Sequence, residues 1–174
     1  LGMTREELED RIVPKLGFDE QMERVFDYGK RTFRVSLTPA LTLEVCDDKG
    51  KKLKNMPSPG KQDDPETAGA SYDAWKLLKK QLKTVVADQT LRLEQALGLG
   101  RRWPTDRWRE LFVENPVMHQ FATGLVWGVY ENGALQTTFR YMEDGSFNTV
   151  EEEEYELPEK GMIGLVHPVE LSHE

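Results

Sequence analysis

A chain of 174 residues with 38% hydrophobic and 31% charged side chains is long enough for one domain with a real core. Four Trp, seven Phe and five Tyr separate it from disordered sequences, and the formal charge of −8 argues against strong general affinity for nucleic acid. The lone cysteine, Cys46, excludes an intrachain disulfide, and no apolar run approaches the roughly 20 residues that span a bilayer. Charges begin almost at once in LGMTREELED, unlike a secretory leader, so a cytoplasmic location is the expectation. The charge is unevenly spread: net −3 over 1–75, +6 over 76–109 and −11 over 110–174.

Thr4 and Glu7 make a capping-box pattern ahead of a short helix, with Leu8 and Ile12 on one side and Pro14 and Gly17 closing it. The period then changes to two. Phe33, Val35 and Leu37 alternate with Arg34 and Ser36, and Leu41, Leu43 and Val45 alternate with Thr42, Glu44 and Cys46. Thr38-Pro39-Ala40 joins these strands, Asp47-Asp48-Lys49-Gly50 turns into another at Lys51–Asn55, and Arg24–Tyr28 precedes them. The pattern predicts an antiparallel meander with one wet face and one face that needs a cover.

MPSPGKQDDPE reads as a linker that ends in a helix start, with Asp64 as N-cap, Pro65 first in the helix and Glu66 in its first turn. Tyr72, Trp75, Leu78, Leu82, Val85, Gln89, Leu93 and Ala96 then recur at steps of three and four to about Leu97, with Gly98 and Gly100 as the stop. A rod of roughly 33 residues, about 50 Å long, outruns one small sheet and is predicted to join two sub-lobes.

Trp103-Pro104-Thr105-Asp106 reads as a new helix start, with Trp108, Leu111 and Phe112 on its apolar side. Asn115-Pro116 restarts it with Met118, Phe121 and Ala122. Two strands follow, joined by Glu131-Asn132-Gly133-Ala134, where Asn-Gly is the strongest hairpin signal in the chain. Glu143-Asp144-Gly145 is a further turn, and YELP and MIGLVHP are candidate strands. Pro168 opens a helical pattern only six residues before the end, and the first residue is Leu rather than Met; both ends predict an excerpt. The expected architecture is α+β: an N-terminal antiparallel β meander, a long central helix, short helices and a C-terminal antiparallel β unit. We expect a single fragment of a larger domain, with sub-lobes at about 1–56, 63–123 and 124–167.

Catalytic signatures do not emerge. His119, His167 and His173 lack the spacing of a metal set, and the simpler reading is packing, surface and tail residues. Cys46 has no C-x-x-C neighbour. GLGRRW lacks the Lys-Ser/Thr of a phosphate loop, and G-x-S-x-G, H-E-x-x-H and a calcium loop do not occur. Glu151–Glu154 lacks alternating ligand spacing and reads as a solvated loop. No catalytic, cofactor or metal residue is assigned, and no cofactor is expected.

The basic middle offers more. Lys76, Lys79, Lys80 and Lys83 share one helix face, and Arg101, Arg102, Arg107 and Arg109 follow, with Trp103 and Trp108 among them. Cations interleaved with aromatics grip phosphates in some proteins. The simpler reading is the polar face of an amphipathic helix, able to pair with the acidic last third. Lys76, Lys79, Lys80, Lys83, Arg101 and Arg102 therefore stand as candidate contacts for a protein partner or nucleic acid. A third reading is an enzyme site completed by regions outside this chain, drawing on His119, His167 and carboxylates near Glu170.

RRWPTDRWRELFVENPVMHQFATGLVWGVYENG, FRYMEDGSF and IGLVHPVEL, together with LEDRIVPKLGFDE, FDYGKRTFRV, KQDDPE and Arg92-Leu93-Glu94, resemble a large bacterial domain of unknown function. That domain occurs in proteins named molybdate metabolism regulators, often beside a separate WGR domain, and the resemblance covers nearly the whole chain. It implies a regulatory or interaction module that is not an enzyme, that continues past HPVEL, and that contacts protein partners or the rest of its own chain. Trp127-Gly128 is followed by Val129 rather than arginine, so no nucleic-acid role of a WGR domain comes with it. No molybdate site is recognisable in the residues.

Overall fold

The computed structural model describes residues 4–11 and 13–166. Period-two alternation builds the first sheet. Strands β1 (Glu23–Asp27), β2 (Thr32–Leu37), β3 (Leu43–Cys46) and β4 (Lys52–Leu53) form an antiparallel meander in sequence order. Phe26 pairs with Phe33 and Val35 with Val45, so Phe26, Phe33, Val35, Leu37 and Val45 share one buried face. The other face is wet: Arg34 lies 3.8 Å from Glu23, and Lys52 lies 3.7 Å from Glu44.

The cover over the apolar face is the helix α2 (Pro65–Leu99), which buries Trp75, Leu78 and Leu82. Trp75 meets Phe26 edge-on at 6.2 Å. Asp64 caps α2 by accepting the Thr67 N–H at 3.1 Å. The helix stops at Gly100 rather than Gly98, because Gly100 takes the left-handed conformation (φ 66°) and frees Arg101 N–H to reach the Ala96 carbonyl at 2.8 Å. At 35 residues the rod is about 52 Å long; it packs on β1 and also touches the last strand of the second sheet.

The segment before α2 is more than a linker. Its prolines exclude a ladder, yet its side chains anchor it. Met56 is buried, the Tyr28 hydroxyl donates to the Pro57 carbonyl at 2.6 Å, and Arg31 donates to both oxygens of the buried Asp63 at 2.9 and 2.6 Å. The Arg31 guanidinium, helped by the Gly60 N–H, holds the Asp63 carboxyl below the usual carboxylate range.

After α2 the chain departs from the expected helix restart. Arg102–Pro104 forms an edge strand, β5, paired with β9 (Met162–Leu165), and Trp103 is buried. Pro104 fits an edge position because it has no N–H to offer a ladder. The helical stretch begins at Thr105 as α3 (Thr105–Trp108) and widens into a π-helical turn, Arg109–Val113. Asn115 then caps α4 (Pro116–Ala122), accepting from the N–H groups of Val117 and Met118. The hairpin of β6 (Val126–Glu131) and β7 (Ala134–Tyr141) turns at Asn132 and Gly133, both at positive φ, as a two-residue primed turn demands. With β8 (Phe147–Asn148), the second sheet has the antiparallel order β5-β9-β6-β7-β8.

YELP is not a strand. Only Glu154 makes a bridge, to Asn148, and Pro158 cannot donate; Tyr155 instead stacks on Phe139 at 5.9 Å. The core here is aromatic: Trp108 lies 5.3–5.9 Å from the rings of Phe112, Trp127, Phe139, Tyr141 and Phe147. The fold is α+β. The short helix α1 (Arg5–Arg11) forms where the capping pattern predicts it, but Leu8 is 53% exposed rather than on a buried side; Ile12 lies outside the described residues.

Candidate functional site

The candidate basic residues fall into two groups at opposite reaches of α2. Lys76, Lys79, Lys80 and Lys83 are exposed on its solvent side. Lys76 approaches Asp73 at 3.7 Å and lies over the Tyr72 ring at 4.8 Å, while Lys79 lies over Trp75 at 5.5 Å. Lys80 and Lys83 have no carboxylate within ion-pair distance among the described residues. Pairing of this stripe with the acidic last third does not occur among the described residues; Glu151–Glu154 are exposed. Lysine belongs here because it sustains a helix while keeping its charge in water. Leu77 and Leu91, 54% and 55% exposed, project on the same side: at 100° per residue they fall with Lys76, Lys80 and Lys83 in an arc of about 120°.

Arg101 and Arg102 follow the C-terminal cap, beyond the roughly 24 Å of helix that separates Lys83 from Leu99. Their environment is quite different. Asp10, on α1, accepts from Arg101 at 2.7 Å, from the Trp103 indole N–H at 3.0 Å and from Arg92 of α2. Glu9 adds a contact to Arg92 at 3.7 Å. The Arg101 guanidinium also lies 4.6 Å over the Trp103 ring, and the Arg102 guanidinium 3.7 Å over Tyr130. That second stack needs glycine beneath it. Arg102 sits opposite Gly164 in the β5–β9 pairing, where an added Cβ would lie 2.9 Å from Arg102 Cγ and 3.0 Å from the Arg101 carbonyl.

These contacts frame a cavity of about 500 Å³ between α1, the end of α2, β5 and the α3 helical turn. Val13, Leu99, Trp103 and Leu111 supply apolar walls and Lys15, Arg101 and Arg107 supply cations, while the Arg102 guanidinium is carried over Gly164 to Tyr130 on the opposite face of β5. Asn115 also lines it but is committed to structure, donating to the Val13 carbonyl at 3.0 Å and capping α4. Sequence reasoning missed Asp10. Its partners are 82, 91 and 93 positions away, and a carboxylate in a charged short helix carries no local sign of them.

His119 is buried, with its ring 4.6 Å from that of Tyr141, and burial pushes its pKa down. Burial pushes the Tyr141 hydroxyl up to about 12. Such groups hold a core rather than exchange protons with solvent. His167, His173 and Glu170 lie outside the described residues, so the proposed pairing of His119 with His167 has no structural counterpart to assess. Cys46 is partly exposed on the wet side of β3. Among the described residues no three His, Cys, Asp or Glu side chains converge as metal ligands, and no helix is long and apolar enough to cross a membrane.

The family model described as Domain of unknown function (DUF4132) matches residues 50–174. The chain belongs to this family. The DUF4132 match opens at the third turn of the meander, so β1, β2 and β3 lie ahead of it while α2, the cavity's arginines and the second sheet lie within it. A relative from Escherichia coli (strain K12), named "Uncharacterized protein YehI", is 35% identical over 176 residues, covering 99% of this chain and 14% of its own length. The chain thus spans about one-seventh of that relative. No solved structure matches.

Proposed function

We propose that this domain is a non-enzymatic interaction module of a cytoplasmic regulatory protein, and that the solvent face of α2 docks on an acidic, apolar-centred surface elsewhere in a longer polypeptide. One observation carries the reading: Leu77 and Leu91 are more than half exposed on the same arc as Lys80 and Lys83, two cations without a carboxylate in reach among the described residues. Leu77, with Lys80 and Lys83 beside it on the arc, matches a protein surface that offers carboxylates next to an apolar centre. The length of the DUF4132 relative supports an occupant within the same polypeptide, since 86% of it lies outside the matched region. A regulatory role, of the kind implied by the resemblance to molybdate metabolism regulators, belongs to the same reading. The ionisable groups that converge, Asp10 with its arginines and Asp63 with Arg31, are consumed in holding elements together, which supports a role without catalysis.

The test is amine acetylation of Lys80 and Lys83 in the full-length protein and in this chain. Several-fold slower labelling of both lysines in the longer protein is expected; equal rates refute the docking. Nucleic acid is the competing occupant. Leucines on a phosphate-gripping face would be wasted, and the chain is acidic overall. Salt-sensitive binding of a labelled duplex that is lost on changing Lys76, Lys79, Lys80 and Lys83 to Glu would assign the face to phosphates instead.

A further inference from the structure

Beyond the docking reading, we infer that a cleft between α2 and the β3–β4 edge of the first sheet is a binding site for a small aromatic carboxylate. α2 packs on β1, the opposite edge of that sheet, so helix and sheet part toward β3 and β4. The space between them has a volume of about 280 Å³, at the small end of ligand sites, and suits a compact molecule. Its floor is apolar: Leu43 and Val45 come from β3, and Trp75 and Leu82 from α2.

The polar side chains that line the cleft are Lys54, Asn55 and Lys79. Lys79 falls about 40° outside the arc that holds Lys80 and Lys83, on the flank of α2 beside Trp75. Lys54 comes from the sheet. The ladder ends at Leu53 and the chain bends at Lys54 and Asn55, so Lys54 lines the cleft instead of joining Lys52 on the wet face. The backbone after the bend is anchored, because Met56 is buried and the Pro57 carbonyl accepts from Tyr28.

The donors gathered here lack acceptors. Neither Lys54 nor Lys79 has a carboxylate within ion-pair distance among the described residues, and none of the described residues that line the cleft is acidic. Trp75 is only 6% exposed, yet its indole N–H donates to no acceptor among the described residues. Lysine and tryptophan can only donate, and a buried indole N–H usually finds a partner. Two ammonium groups and an unused indole N–H around an apolar floor complement a carboxylate carried on a ring.

The experiment titrates 1-naphthoate into the isotope-labelled chain and follows the assigned indole N–H signals of the four tryptophans by NMR. A saturable downfield shift of the Trp75 signal is expected, with those of Trp103, Trp108 and Trp127 in place. Lys54→Gln with Lys79→Gln should weaken binding by about tenfold or more, the effect of losing charge-assisted hydrogen bonds. Both lysines are exposed, so this variant keeps the fold. Lys80→Gln with Lys83→Gln should leave binding unchanged, which separates the cleft from the α2 docking face. The uncharged 1-naphthamide should bind at least about tenfold more weakly. Inorganic phosphate, which has no apolar body, should leave the Trp75 signal in place at the same concentration. The inference is overturned by the lack of a saturable Trp75 shift up to about 10 mM, by binding that survives loss of Lys54 and Lys79, by equal binding of the amide, or by an equal response to phosphate.

Discussion

Replacing Asp10 by Ala should detach α1 from the body of the domain. The carboxylate accepts from Arg92, Arg101 and the Trp103 indole, and only 11% of the Asp10 side chain is exposed, against 20% and 22% for the two arginines. A hydrogen bond to a charged group contributes about 1.5–3 kcal/mol, and breaking a buried pair costs about 3–5 kcal/mol. Partial exposure of the arginines lets water take over some of that role, so a loss of about 2–4 kcal/mol is expected. In a domain of this size that lowers Tm by roughly 5–12 °C. A seven-residue helix cannot hold itself, so amide exchange in Arg5–Arg11 should rise toward the rate of unstructured chain. Asp10→Asn, which keeps the shape and loses the charge, should fall between the two. The assay is a urea unfolding curve beside hydrogen exchange of the α1 amides. A stability change below about 0.5 kcal/mol, with α1 still protected, would refute the tether.

Two further outcomes follow from the aromatic core. Trp108 and Trp127 are both fully buried, but the Trp127 indole donates to the Ala122 carbonyl at 3.1 Å while the Trp108 indole has no acceptor among the described residues. Trp127→Phe should therefore destabilise more than Trp108→Phe, by about 1–2 kcal/mol in urea unfolding, and equal losses would contradict the assignment. Burial keeps His119 neutral below its ordinary pKa of 6.5, so the unfolded chain binds a proton first as pH falls. The stability that this contributes is complete above that value and is lost as pH drops beneath it. Between pH 7.5 and 5.5 the urea midpoint of the parent chain should fall further than that of His119→Gln; parallel declines would show that His119 is not the group titrating.

The elements whose periodicity is local were legible in the sequence, and those made by distant partners were not. Phe33, Val35 and Leu37 announce a strand, Asp64-Pro65 announces a helix start, and Asn132-Gly133 announces a hairpin, because each uses only neighbouring backbone geometry. Arg102–Pro104 misled because Trp-Pro-Thr-Asp resembles a helix start. Its strand conformation is set by Met162–Leu165, about sixty residues on. YELP misled in the other direction: alternation is present, but the neighbouring segment offers one bridge only. Of the candidate site residues, the lysine face was readable from spacing alone. The cavity was not, because Asp10, Arg101 and Trp103 meet only after β5 has joined the sheet and the end of α2 has been capped at Gly100.

The geometry of α2 also decides how the two candidate surfaces relate. A continuous helix without an internal proline is a stiff rod, and about 24 Å of it separates Lys83 from Leu99, just before Arg101. No small ligand can touch both ends, so occupancy of the cavity and docking on the lysine face are separate binding events. Communication between them would have to pass along α2 through Arg92, which belongs to the rod and also grips Asp10. Arg92 is the one described residue of α2 with an ion pair to α1, through both Glu9 and Asp10. A ligand that displaced α1 would act on α2 at that point, near its C-terminal end. The lysine face lies on the side of α2 away from the first sheet, against which Trp75, Leu78 and Leu82 fix the helix. The packing therefore favours two independent surfaces carried on one scaffold.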